Sequence, residues 1–80
     1  MDEDPLAHIA IDPKIMVGKP VIRGTRIPVE LIVRMLAQGI PEEDILKEYP
    51  RLQHTDIRAA LAYAARVLAE EDVLPLSTSA

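Results

Sequence analysis

The stretch "PEEDILKEYPRLQHTDIRAAL", residues 41–61, decides the fold. Pro41 suits the first turn of a helix, where a missing N–H costs nothing. Glu42, Glu43 and Asp44 follow it, and the helix dipole favours anions there. The spacing predicts a brief helix that buries Ile45, Leu46 and Tyr49 and stops at Pro50. A "PRLQ" turn comes next. A longer helix then runs from about His54 to about Glu70, with Ile57, Ala60, Leu61, Ala64 and Leu68 at the spacing of one apolar stripe. Gln53 or Thr55 is its expected cap, and Asp56 lies early in it. A short helix, a tight turn and a long helix form the outline of a helix-turn-helix.

Upstream, Val29, Ile32, Val33 and Leu36 form the apolar stripe of another helix. Pro28 fits its first turn, and Gly39 is expected at positive φ just past its end. Before it stands "KIMVGKPVIRGTRIPV", residues 14–29, which holds four cations, no acid and two of the three glycines. "VIRGTRI" reads as two short strands around a tight turn, with Gly24 the residue for positive φ. "HIAID" alternates weakly and reads as a short strand, and "PKIMVGKP" as a loop. The fold expected is therefore mainly α: a three-helix bundle of helix-turn-helix type preceded by a short β hairpin. Residues 8–72 make the single domain, residues 1–7 a frayed acidic lead, and residues 73–80 a flexible tail.

Eighty residues with no Cys, Phe or Trp leave an aliphatic core, no disulfide framework and no thiolate metal site. So small a core makes a homodimer the expected state, with the unpaired strand edges of the β arm as a natural contact. The apolar runs are too short for a bilayer, and the acidic start lacks the plan of a secretory signal. A cytoplasmic protein with no membrane partner is expected. The formal charge is −4, which disfavours non-specific binding to nucleic acid. Its distribution is uneven, however, because residues 13–29 carry only positive charge. One basic face can exist on an acidic protein.

The residues suited to DNA fall in two groups. Lys19, Arg23 and Arg26 form a basic arm around the Gly24 turn. Arg51, Gln53, His54, Thr55 and Arg58 surround the start of the last helix, where a helix-turn-helix meets the major groove. Three-helix cores are also common in proteins that bind no DNA. "GKPVIRGT" fails as a phosphate loop, since the second glycine is followed by Thr and no Lys. His8 and His54 are isolated from other ligands, so no metal site is expected. No catalytic constellation stands out, and neither a cofactor nor a small-molecule substrate is expected.

Three strings, "GKPVIRGTRIPVELIVRMLAQG", "EEDILKEYPRL" and "DIRAALAYA", closely resemble the bacterial and archaeal family called domain of unknown function 433. The resemblance covers roughly residues 8–65. It implies a homeodomain-like unit of three helices behind a small β element. It also implies an antitoxin that binds a PIN-like ribonuclease toxin, with duplex DNA as a second partner. It carries over no catalytic residue. One departure stands at the start of the last helix, where the family often has Thr or Ser followed by Pro and this chain has Gln53-His54. Gln caps less well than Thr, so a weaker helix start is expected. The alternative is an interaction module that binds no DNA and dimerises through the β arm.

Overall fold

The computed structural model describes residues 4–14 and 16–70, and among these two strands and three α-helices form the fold. Strand β1 (Ile9–Ile11) pairs antiparallel with β2 (Pro20–Ile22), in the register Ile9 to Ile22, Ala10 to Val21 and Ile11 to Pro20. Helices α1 (Val29–Ala37), α2 (Glu42–Glu48) and α3 (His54–Glu70) follow. A single turn of 3-10 helix precedes β1, at Pro5–His8, and a kink with left-handed backbone at Val17 and Gly18 precedes β2. The expected mainly helical fold with a short antiparallel hairpin in front is what the chain adopts.

Proline and glycine set the helix boundaries. Pro28 and Pro41 each stand one residue ahead of their helix in extended backbone, with ψ of 143° and 152°. Both were expected within the first turn, and the structure puts them one position earlier. Helix α1 closes with paired bonds: Ile40 N–H donates to the Met35 carbonyl at 3.1 Å and Gly39 N–H to that of Leu36 at 3.0 Å. This is the Schellman arrangement, and it needs the left-handed φ of +85° that Gly39 supplies. Tyr49 N–H donates to the Ile45 carbonyl at 2.9 Å and ends α2.

Sequence and structure differ over the hairpin. The partner of β2 in the sheet is β1 rather than the segment after Gly24. That later segment adds only an isolated bridge between Val21 and Pro28 and a bond from Ile22 N–H to the Ile27 carbonyl at 3.0 Å. Pro28 has no N–H to extend the ladder, so a full strand cannot continue there. The predicted tight turn does form. Thr25 N–H donates to the Ile22 carbonyl at 3.0 Å, and Gly24 has the φ of +82° that suits the third position of a type II turn.

The core is aliphatic, as the composition requires. Ile22, Ile32, Ile45 and Ile57 are fully enclosed, with Ile9, Val29, Leu52, Ala59 and Ala60 beside them. Full burial of one such Ile is worth about 1.5–3 kcal/mol. The stripe expected on α3 needs correction. Ile57 and Ala60 are buried, but Leu61 is 43% exposed and Leu68 63% exposed. The buried side of α3 runs through Asp56, Ala59 and Ala60, with Tyr63 packed against the core edge. The N-terminal 3-10 turn packs on α3 together with α1 and draws that side inward. Residues 61–70 contribute nothing fully buried.

Within the N-terminal lead, the Asp4 carboxylate accepts the Leu6 N–H at 2.9 Å and caps the turn that packs on α3. Residues 1–3 and the tail 73–80 lie outside the described residues.

Candidate interaction surface

The string "VIRGTRIP" folds into a knot of short-range bonds. The Thr25 hydroxyl donates to the Ile22 carbonyl at 2.8 Å and accepts the Ile27 N–H at 3.0 Å. One hydroxyl thus satisfies two backbone groups of the turn. The Arg51 guanidinium, from the turn between α2 and α3, donates to the Gly24 carbonyl at 2.9 Å. It fastens the β arm to the helix-turn-helix. Gly24, Thr25, Arg26 and Arg51 then line an open cleft of about 370 Å³ with Ala10 and Val21.

The cations read as a basic arm have diverse roles. Arg23 donates to the Ala7 carbonyl at 2.8 Å and to the Ile9 carbonyl at 3.0 Å, so its planar fork holds the chain's first segment. Lys19 lies 3.3 Å from a Glu30 oxygen, and Arg34 takes the other oxygen of the same carboxylate. The Lys19 ammonium, by hydrogen bond and charge, and then Arg34 hold the Glu30 carboxyl below the usual carboxylate range. Arg26 is exposed and makes no ion pair among the described residues. The structure therefore gathers Arg26 and Arg51 at one cleft, and turns Arg23 and Lys19 to internal partners.

At the start of α3 the expected residues are exposed: Gln53, His54, Thr55 and Arg58. An acid joins them. His54 Nδ1 lies 2.7 Å from Glu42 Oε1, which places the first acid of α2 against the first turn of α3. Arg58 stands four residues after His54 and shares that face of the helix. A phosphate approaching there meets the Glu42 carboxylate.

Sequence reasoning missed the part that Asp56 plays at this helix start. Asp56 is almost fully buried. Its Oδ2 accepts the Gln53 N–H at 3.0 Å, and its Oδ1 lies 2.9 Å from His8 Nδ1. The Gln53 carbonyl in turn accepts the Asp56 N–H at 2.9 Å. An acid three residues after the capping position is half of a capping box, so the spacing of Gln53 and Asp56 was the available signal. The weak Gln cap is offset from the other side.

Comparison with known proteins adds the following. The family described as "Protein of unknown function (DUF433)" matches residues 9–64. An uncharacterized protein of Archaeoglobus fulgidus is 57% identical over 30 residues, covering 38% of this chain and 83% of its own. The uncharacterized protein y4eO of Sinorhizobium fredii is 39% identical over 56 residues, covering 70% of this chain but only 25% of its own. The crystal structure of a DUF433 member protein from Anabaena variabilis superposes with a TM-score of 0.73 at 36% identity, covering 79% of this chain and 62% of that one. The chain thus spans a quarter of the Sinorhizobium protein and under two thirds of the Anabaena one. With the match running from β1 into the middle of α3, the chain belongs to the DUF433 family.

Proposed function

We propose that this chain is a protein-binding module of antitoxin type, which engages a PIN-like ribonuclease and carries no catalysis of its own. The Glu42 carboxylate beside His54 carries this reading over the DNA one. A fixed acid at the first turn of α3 repels phosphates where a helix-turn-helix needs to attract them. Much of the basic arm bonds the chain's own carbonyls and carboxylate, which lowers what it can offer to a duplex. The cleft beside Arg26 and Arg51 suits an acidic side chain of a folded partner. The module works in the cytoplasm as a homodimer joined along the open edge of β1, since the 27–28 segment already covers part of β2.

DNA is the second reading, and one observation favours it: Arg26 and Arg58 are both exposed and make no ion pair among the described residues. Two assays separate the readings. In the first, the chain is co-expressed with a PIN-like ribonuclease, and any complex is isolated. Wild type should retain the ribonuclease and Arg26→Glu should lose it. In the second, anisotropy with promoter DNA is recorded from 50 to 200 mM salt. Failure to retain the ribonuclease, together with tight and steeply salt-dependent DNA binding, would overturn the proposal.

A further inference from the structure

Helices α1 and α3 leave between them an open groove of about 540 Å³. One wall is Val29, Val33 and Ala37, each four residues after the last. The other is built from two rows of the same spacing on α3, Tyr63 with Val67 and Ala64 with Leu68. Rows at that spacing are the ridges by which helices pack, and a further helix seats its own ridge in the channel between two of them. Val67 and Leu68 are 39% and 63% exposed, so the channel is uncovered among the described residues. Its charged groups form one cluster, Lys19, Glu30 and Arg34.

We infer that the groove is a docking site for an amphipathic helix of another protein, with an acidic residue beside its apolar face. Shape comes first. Between the walls the Tyr63 hydroxyl is the one polar side-chain group, which gives a small polar ligand little to orient it, whereas parallel ridges orient a helix. From Val29 to Ala37 the channel runs about 12 Å at the helical rise, or about two turns. The occupant's anchors therefore fall at i, i+4 and i+7, the pattern of helix-in-groove recognition. Charge selects among such helices. Lys19 and Arg34 share the Glu30 carboxylate, which leaves the cluster a formal charge of +1 on a chain whose total is −4. Both cations are more than half exposed and carry N–H groups beyond those that bond Glu30. Glu30 holds them side by side, so an incoming carboxylate meets two oriented donors, and an incoming cation meets like charge. The groove shares no residue with the Arg26–Arg51 cleft, so the inference goes beyond the ribonuclease reading and does not rest on it.

A displayed library of helical peptides, selected on the immobilised full-length chain, tests it. The sequences recovered should share apolar residues at i, i+4 and i+7 and an Asp or Glu on one flank. The most frequent peptide is then labelled and titrated by fluorescence anisotropy. Leu68→Gln and Ala37→Gln stand at exposed positions, one on each wall, and should each weaken binding about tenfold with the unfolding midpoint close to wild type. Wild type should prefer the acidic peptide about tenfold over its Lys-substituted form, less so in high salt, and Lys19→Gln with Arg34→Gln should erase that preference. Arg26→Glu should bind the peptide as wild type does, which keeps this result separate from the test of the ribonuclease reading. An empty selection, sequences without the acidic flank, or binding indifferent to Leu68→Gln and Ala37→Gln would overturn the inference. So would sedimentation in which either variant dissociates a dimer of the chain alone, since the groove would then belong to a second copy.

Discussion

His8 Nδ1 and Asp56 Oδ1 lie 2.9 Å apart across 48 residues of sequence, and this contact pins the N-terminal turn to the first turn of α3. Both side chains are mostly enclosed, at 25% and 13% exposure. The same carboxylate accepts the Gln53 N–H. One acid therefore links the N-terminal turn, the α2–α3 turn and α3.

Removal of that acid should be costly. Asp56→Ala leaves the Gln53 N–H and the His8 ring without this acceptor, and the expected loss is about 1–3 kcal/mol in urea unfolding. A cycle with His8→Ala should give a coupling of about 0.5–3 kcal/mol, as for residues sharing one network. A coupling near zero would mean that Asp56 acts only as a cap.

Neighbouring residues of α3 should respond very differently to truncation. Ile57 is fully enclosed and Leu61 is 43% exposed. Ile57→Ala is expected to cost about 2–5 kcal/mol, and Leu61→Ala about 1 kcal/mol or less. Equal denaturant midpoints for the two variants would contradict the burial pattern.

The helix boundaries were legible because Pro28, Gly39, Pro41 and Pro50 act locally, on the residue that carries them. The pairing of β2 was not, because its partner is chosen by where the chain returns, and "VIRGTRI" offers an equally alternating local candidate. Leu61 was misplaced for a related reason. Helical spacing admits two adjacent stripes on α3, and the choice between them falls to the N-terminal turn packed against it. At the candidate surface, sequence supplied Arg26 and Arg51 but could not show that Arg23 bonds the carbonyls of Ala7 and Ile9. Nor could it show that Glu42 reaches His54. Both facts depend on tertiary placement.

The Glu30 cluster gives a pH dependence with a definite sign. Its carboxyl is held below the ordinary value of 4.5 by Lys19 and then Arg34. A group with a depressed folded-state pKa stabilises above its unfolded value and ceases to do so as pH falls through the folded one. Wild type should therefore lose more melting temperature than Glu30→Gln on acidification below about pH 4.5. All three side chains are more than half exposed, so the gap between the proteins should be small and should narrow further in salt. Parallel melting curves across that range would show that the cluster adds nothing to folding.

Val17 is 94% exposed and sits at φ 56°, ψ 39°, a left-handed conformation that a β-branched residue enters at a cost of about 1–2 kcal/mol. Asn tolerates that conformation better. Val17→Asn should raise the denaturant midpoint, corresponding to about 1 kcal/mol, with no change in slope. A lower midpoint would mean that the valine side chain contributes contacts that outweigh its backbone strain.

The N-terminal segment is held by bonds of two spans, and that bears on how the protein is made. Arg23 grips the Ala7 and Ile9 carbonyls across 16 and 14 residues, while Asp56 reaches His8 across 48. Closure of the longer loop costs about 1 kcal/mol more in chain entropy. During synthesis the arm emerges well before its seat on α3. The β pair must therefore wait, held by its own ladder and by Arg23, until the first turn of α3 exists to receive it. Substitutions at His8 should accordingly quicken unfolding and leave the refolding rate nearly unchanged.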